Sequence, residues 1–112
     1  MSEKVLTFED FTKVDLRIGT IVDVQDFPEA RRPAYQLKID FGPLGIKKSS
    51  AQITTIYNKE DLLNRQIVAV VNFPKKQIAK FMSECLVMGA VLENDVFLLS
   101  PESKVPNGKA VN

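Results

Sequence analysis

The sequence contains no histidine and only one cysteine among its 112 residues. Histidine is the commonest general base and the commonest zinc ligand, so its absence excludes Ser-His and Cys-His catalytic pairs and argues against a zinc site. A phosphate-binding loop is missing as well, because the glycines of GPLG do not have P-loop spacing. We therefore predict a protein that is not an enzyme and that needs no cofactor and no metal. A pair of carboxylates brought together by the fold stays open as the alternative.

Two further absences bear on the compartment. The single cysteine, Cys85, lies in an apolar run, which predicts a buried thiol in a reducing compartment rather than a disulfide. The first residues, MSEKVLTFEDF, lack the apolar stretch of a signal peptide, and no apolar segment approaches the roughly 18 residues of a membrane span. We expect a cytoplasmic, soluble protein that folds as one domain over residues 1–112 around one core.

The net charge of +1 conceals an uneven distribution of charged residues. Residues 31–80 carry ten Lys or Arg against three Asp or Glu, whereas residues 1–30 and 81–112 are both net acidic. A cationic face on an otherwise neutral protein would produce this pattern. Solvated lysines that protect strand edges would produce it equally well. Charge alone leaves both interpretations open.

Alternation of apolar and polar residues predicts the first strands. The segment VDLRIGTIVDV has a period of two, and Gly19 and Ile21 mark a bend within it, whereas YQLKIDF alternates without interruption. The residues predicted to face inward are Val14, Leu16, Ile18, Val22 and Val24 in the first segment and Tyr35, Leu37, Ile39 and Phe41 in the second. After the GPLG turn, IKKSSAQI predicts a third, weaker strand.

The remaining elements complete a barrel. TFEDF predicts a short helix over Phe8–Phe11, and NKEDLLN predicts a second one, capped by Asn58, with Leu62 and Leu63 facing inward. RQIVAVVNF, ECLVMGAV and DVFLLS predict three more strands. The order predicts an all-β fold, a five-stranded Greek-key OB-fold barrel, with short helices at the N-terminus and between strands three and four.

Three basic segments fall on one side of such a barrel: ARRPAY, IKKSSAQ and NFPKKQIAKF. Cations there would meet phosphates, Ser, Gln and Asn would bond to bases or 2′-hydroxyl groups, and an aromatic ring would stack on a base. The candidate ligand-binding residues are Arg32, Lys47, Lys48, Ser49, Ser50, Gln52, Asn72, Phe73, Lys75, Lys76, Lys80, Phe81 and Ser83.

Each of these residues also has a plainer interpretation. Phe73 and Phe81 fit the core better than a stacking platform, since buried aromatics dominate small cores. The lysines would then only solubilise a loop, and the serines would only be small strand residues. After Pro74, which ends the preceding ladder, residues 77–79 predict a helical turn that tucks Ile78 inward and leaves Lys76 and Lys80 outward.

The segments VDLRIG, NFPKKQIAKFMSECLVMGA and LLSPESKVPNGKAV together closely resemble the tRNA-binding-domain family, which includes the C-terminal module of bacterial methionyl-tRNA synthetase. The resemblance implies an OB-fold homodimer without catalysis. It implies one of two ligands: tRNA bound by its shape, or, in a branch of export-related chaperones, unfolded or precursor polypeptides, with the export machinery as a further partner.

Two departures favour the chaperone branch. Where tRNA-binding members have Ser-Gln-Gly-Met, this chain has Ser83-Glu84-Cys85-Leu86, and where many have A-D-K-L-Y in the first loop, it has ARRPAY. Glu84 would place a negative charge beside the proposed site. A dedicated tRNA-binding protein is kept as the alternative. For the dimer, we expect the contact residues to include Phe8, Phe11, Val105 and Val111, because the first helix and the tail exceed a minimal OB-fold.

Overall fold

The computed structural model describes residues 4–112. Within them the chain forms two short α-helices, α1 and α2, one 3-10 turn at Gly42–Leu44, and strands β1 to β9. Their bounds are α1 Phe8–Phe11, β1 Leu16–Asp26, β2 Tyr35–Asp40, β3 Ile46–Ala51, α2 Lys59–Leu62, β4 Gln66–Val70, β5 Lys76–Ile78, β6 Phe81–Ser83, β7 Leu86–Val87, β8 Gly89–Leu92 and β9 Asp95–Leu98.

Five strands form one antiparallel sheet in the order β3-β2-β1-β4-β7, and two hairpins, β5-β6 and β8-β9, are attached to it. The sheet curls into a nearly closed barrel, with α1 before it and α2 between β3 and β4. The predicted all-β, OB-fold-like architecture and the placement of both helices are confirmed.

The first strand bends at a β-bulge. Its pairing with β2 shifts between Ile21 and Asp23, so Val22 is an extra residue that opposes nothing. Because a bulge changes which face the following side chains take, Ile21 is fully buried and Val22 is exposed. The predicted kink at Ile21 is confirmed, but the inward placement of Val22 is wrong. Val14, which precedes the strand, is also exposed rather than inward.

The core lies on the inner face of this curled sheet. The alternating residues of β2 and the one after it, Tyr35, Leu37, Ile39 and Phe41, are all buried as predicted. Gly19 lies directly against them, because a Cβ at this position would come within 2.7 Å of the side chains of Ile39 and Phe41.

Helix α2 covers one end of the barrel with a single leucine. Leu62 is fully buried, and Asn58 is the N-cap as predicted, its N–H donating to the Asp61 carboxylate at 2.9 Å. Leu63 is exposed, so its predicted inward position is wrong. The physical reason is local: the backbone leaves the helix at Leu63, with φ −61° and ψ 129°, and carries the side chain away from the core.

The C-terminal tail pairs with the part of β1 that β2 leaves uncovered. Gly108 N–H donates to Ile18 O at 2.7 Å, Ile18 N–H donates to Lys109 O at 3.0 Å, and Val111 N–H donates to Leu16 O at 2.8 Å. Gly108 has φ +91°, a conformation that favours glycine. The tail is therefore an ordered part of the barrel wall.

Glu84 closes the barrel between β3 and the segment leading into β7. Its N–H donates to Lys48 O at 2.7 Å, and its carboxylate accepts the N–H of Lys48 at 2.9 Å. A side-chain oxygen thus replaces the main-chain carbonyl that a neighbouring strand would offer. This hydrogen bond, and then the charge of Lys75 at 3.5 Å, hold the pKa of Glu84 below its ordinary value of 4.5, although burial opposes the shift.

Replacing Glu84 by Ala should lower the free energy of unfolding by about 1–3 kcal/mol, because the half-buried N–H of Lys48 loses its acceptor. Glu84→Gln keeps an acceptor oxygen and should lose less. Since the folded state depresses the pKa of Glu84, its stabilisation is present above pH 4.5 and is lost as the pH falls through the folded value. Urea unfolding at pH 7 and pH 3.5 tests both points. Equal stability of all three proteins at pH 7 would contradict this role for Glu84.

Candidate functional site

The basic connection after β4 is a β-hairpin, not the helical turn that the sequence predicts. Ile78 pairs with Phe81 across a two-residue turn at Ala79 and Lys80, and Ala79 takes φ +54°. Two-residue hairpin turns need such positive φ values and usually place glycine, asparagine or aspartate there. Because this turn has alanine, the sequence lacks the usual signal. The half-buried Ile78 and the exposed Lys76 and Lys80 do follow the expectation.

Phe81 attaches this hairpin to the barrel. Its ring centroid lies 5.3 Å from that of Phe27, and the Lys48 ammonium lies 5.4 Å from the same ring. Phe81 is therefore half-buried between a buried aromatic and a cation, neither a core residue nor a free platform. Phe27 was not predicted to take part, because it follows β1 in a segment whose composition is typical of a polar loop.

The outer face of β2 and β3 carries cations and amides. Lys38 pairs with Lys48, and Gln36 pairs with Ser50, so these four side chains share the solvent face of the two strands. Ser49 is on the opposite face, 1% exposed, with its hydroxyl donating to Cys85 O at 3.0 Å. The structure therefore gives Ser49 no surface on which to meet a ligand. Lys38 and Gln36 were not predicted as candidate site residues, because the alternation of YQLKIDF indicates only that they face solvent.

A pocket of about 620 Å³, which we call the Phe73 pocket, opens between the β4–β5 connection and β7. Its wall is apolar, with the side chains of Phe73 and Leu86 56% and 49% exposed. The expectation that Phe73 belongs to the core is wrong. The pocket is lined by Phe73, Pro74, Lys75, Lys76, Gln77, Ser83, Cys85 and Leu86.

Cys85 contributes an inert wall to this pocket. It is buried, as predicted, and desolvation raises the pKa of its thiol to about 11, so the thiol stays protonated at neutral pH. Lys75 on the rim lies 3.5 Å from the Glu84 carboxylate, which offsets part of its charge. Lys76 has no ion pair within residues 4–112 and carries the positive charge of the rim.

A second opening of about 390 Å³, which we call the seam gap, continues the Phe73 pocket along the barrel. Lys76, Ser83, Cys85 and Leu86 line both openings. The seam gap is further lined by Ser50, Ala51, Gln52, Ile53, Ile78, Val87, Val96 and Leu98. Together the two openings form one groove, apolar inside and cationic at its rim.

The other predicted site residues lie outside this groove. Asn72 uses its side chain within the chain: its Oδ1 accepts Asp15 N–H at 3.0 Å, and its Nδ2 donates to Lys13 O at 2.7 Å. Arg32 is exposed in the β1–β2 connection. Lys47 is half-buried near one end of β3, and Lys80 lines a separate depression beside Phe27 and Phe81.

The residues predicted for a dimer contact differ in exposure. Phe8 is 79% exposed, whereas Phe11, Val105 and Val111 are half-buried. A second set of exposed apolar side chains, which was not predicted, lies on and beside the β8–β9 hairpin: Val91, Leu92, Phe97 and Leu99.

Residues 4–112 offer no grouping of three or more His, Cys, Asp or Glu side chains that could hold a metal ion. Across the same part of the chain, no helix is long and apolar enough to cross a membrane.

The chain is similar in sequence to a family of known proteins. The family described as "Putative tRNA binding domain" matches residues 16–110. The methionine–tRNA ligase of Thermococcus onnurineus is 38% identical over 104 residues, which is 93% of this chain but 14% of the ligase. The chain thus spans about one seventh of that relative.

Two solved structures are similar along their whole length. The chaperone CsaA from Bacillus anthracis is 57% identical, with a TM-score of 0.93 over 96% of this chain and 99% of that one. The CsaA chaperone protein from Picrophilus torridus is 51% identical, with a TM-score of 0.90 over 96% of this chain and 100% of that one.

Proposed function

The chain belongs to the putative tRNA-binding-domain family, and we propose that it is a non-catalytic chaperone that holds unfolded or precursor polypeptides. The chain is similar to two CsaA chaperones over their full length, which supports a chaperone function. Its similarity to the methionine–tRNA ligase covers only a small part of that enzyme and supports a ligase-related function less. In this proposal the protein works in the cytoplasm as a homodimer and keeps its clients available for export.

The observation that carries the proposal is the exposed Phe73 in an apolar pocket. An exposed apolar patch typically marks a surface that a binding partner covers. Phe73 and the adjoining Leu86 form such a patch. Apolar pockets with few polar anchors accept many sequences, which a chaperone needs. The cation of Lys76 at the rim would hold acidic residues that flank an apolar client segment.

Phe73→Ser should weaken the binding of a reduced and alkylated, permanently unfolded protein by about tenfold, since burying a phenylalanine is worth roughly 1.5–3 kcal/mol. Fluorescence anisotropy of the labelled client measures the change. Leu63→Ser is the matched control, because Leu63 is an exposed apolar residue that does not line the groove. Equal affinity of the Phe73 variant and this control would contradict the proposed site.

The second candidate function is binding of tRNA, which the cationic outer face of β2 and β3 favours. Lys38 and Lys48 lie side by side there, and Lys76 and Lys80 project from the adjoining hairpin. Cations on a barrel face and its flanking loop fit phosphates. Lys75 contributes less than the sequence suggests, because Glu84 opposes it.

If the protein binds tRNA through this face, replacing Lys76 and Lys80 together by Ala should reduce the slope of log K against log salt by about 1.5. Anisotropy of labelled total tRNA between low and physiological salt gives the slope. The matched control replaces Lys104 and Lys109, two exposed lysines of the tail. An unchanged slope, or no binding by the unaltered protein at physiological salt, would count against tRNA as a ligand.

The proposed homodimer would cover Phe8, the largest exposed aromatic surface, with the half-buried Phe11, Val105 and Val111 close to the contact. Exposed apolar patches are typical of protein interfaces. A two-fold contact would also bring two grooves into one particle, which suits a long client.

Light scattering at micromolar concentration should give a mass about twice the 12.6 kDa of the chain. Phe8→Asp should shift the mass towards that of one chain, whereas Leu63→Asp, an equal charge on another exposed residue, should not. A 12.6 kDa particle for the unaltered protein would refute the dimer.

A further inference from the structure

A third opening, of about 580 Å³, lies between the turn of the β5–β6 hairpin and the β1–β2 connection, and we call it the Phe27 depression. It shares no lining residue with the Phe73 pocket or the seam gap. Its size falls within the roughly 300–1,000 Å³ that is typical of ligand pockets. The lining residues are Phe27, Glu29, Gln36, Ala79, Lys80 and Phe81.

Two aromatic rings make the apolar part of this depression. Phe27 is buried, and its ring centroid lies 5.3 Å from that of the half-buried Phe81, with 56° between the ring planes. Phe27 also begins a turn that contains Glu29, since its carbonyl accepts the N–H of Ala30 at 3.2 Å. Phe81 therefore offers part of a ring, held in place by the barrel, against which a flat ligand can lie.

Among residues 4–112, two polar side chains of the depression have no partner of their own. Glu29 is exposed and joins none of the ion pairs in this part of the chain. The side-chain amide of Gln36 is likewise unbonded there, whereas those of Gln66 and Gln77 donate to carbonyl groups at 2.6 Å and 3.1 Å. A carboxylate and a carboxamide are thus available to a ligand in one depression.

Cations adjoin the depression. Lys80 lines it, and Lys38 and Lys48 share the neighbouring outer face of β2 and β3. The Lys48 ammonium lies 5.4 Å from the centroid of the Phe81 ring. These charges suit a chain of phosphates. Glu29 is the only carboxylate among the lining residues and would repel phosphate, so a ligand that carries phosphates must offer it hydrogen-bond donors.

Among the four RNA bases, guanine meets this requirement best. Its Watson–Crick edge presents two adjacent donors, N1–H and N2–H, beside the acceptor O6, and the two oxygens of one carboxylate can accept both donors. Adenine and cytosine offer only an amino group as donor on that edge, and uracil offers only N3–H between two acceptors. A carboxylate and an amide donor that share one pocket therefore fit guanine.

We propose that the Phe27 depression binds an unpaired guanine of an RNA ligand. The base lies against Phe81, the Glu29 carboxylate accepts its N1–H and N2–H, and the Gln36 amide donates to its O6. Lys80 holds a flanking phosphate. This inference rests on RNA binding, the second candidate function, and specifies the base that such a function would select.

Four labelled RNA pentamers, UUGUU, UUAUU, UUCUU and UUUUU, test this selection by fluorescence anisotropy at low salt. UUGUU should bind about tenfold more tightly than the other three, which is the discrimination expected of a bidentate contact. Glu29→Gln should abolish most of that preference without weakening the binding of UUUUU. The matched control is Glu60→Gln, which removes an equal charge from an exposed residue of α2 outside the depression and should keep the preference.

The side-chain amide of Gln36 supplies a second readout, followed by NMR. Its signals should shift when UUGUU is added, because the amide gains an acceptor. The signals of the Gln66 amide, which is already bonded to Val105 O, should not shift.

The outcomes separate the guanine site from RNA binding itself. Equal affinity for the four pentamers, or a guanine preference that survives Glu29→Gln, would overturn the guanine site and leave RNA binding intact. Binding of total tRNA without binding of any pentamer would also overturn the guanine site. If Glu29→Gln weakened only the binding of an unfolded polypeptide, the depression would belong to that ligand and the guanine site would be wrong. Failure to bind either tRNA or the pentamers would overturn both.

Discussion

The fold depends on how one carboxylate completes a strand edge. Glu84 offers Lys48 both a main-chain donor and a side-chain acceptor, so β3 is tied to the chain entering β7 without a regular ladder between them. A regular ladder would have continued along the whole edge and sealed the barrel. The contacts that replace it are the Glu84–Lys48 pair and the Ser49 hydroxyl on Cys85 O, and the seam gap opens beside them. The groove is the consequence of that local closure.

The contact between Glu84 and Lys48 also changes the interpretation of the negative charge of Glu84. From the sequence, Glu84 is an anion beside a basic site and counts against a polyanionic ligand. In the structure its carboxylate accepts the Lys48 N–H and lies 3.5 Å from Lys75, and these two interactions lower its pKa. Glu84, which stands where Ser-Gln-Gly-Met has glutamine, therefore serves the closure of the barrel. Its presence does not argue against an anionic ligand on the cationic face of β2 and β3.

Alternating patterns predicted the barrel well, because burial on one face of a strand imposes a period of two on the residues. β2 followed the pattern throughout, and the bend in β1 was visible as a break at Ile21. The failures have local backbone causes. Leu63 is exposed because it follows the end of a helix, and Val22 is exposed because it is the extra residue of a bulge. The β5–β6 turn was not predicted because it places Ala79, rather than the usual glycine, at positive φ.

The surroundings of the candidate binding residues were harder to predict, since a polar side chain serves a buried main-chain group as readily as a ligand. Ser49 and Asn72 both satisfy main-chain groups, whereas Ser50 and Lys76 reach the groove. Lys76 also belongs to the hairpin that flanks the cationic face, so polypeptide and RNA would approach the same element from its two sides. The two surfaces differ physically: the groove offers apolar area, whose contribution to binding salt barely weakens, and the outer face offers charge, which salt screens. A client seated under the hairpin would neutralise or displace Lys76, and the two ligands would therefore oppose one another through that residue even without sharing a site.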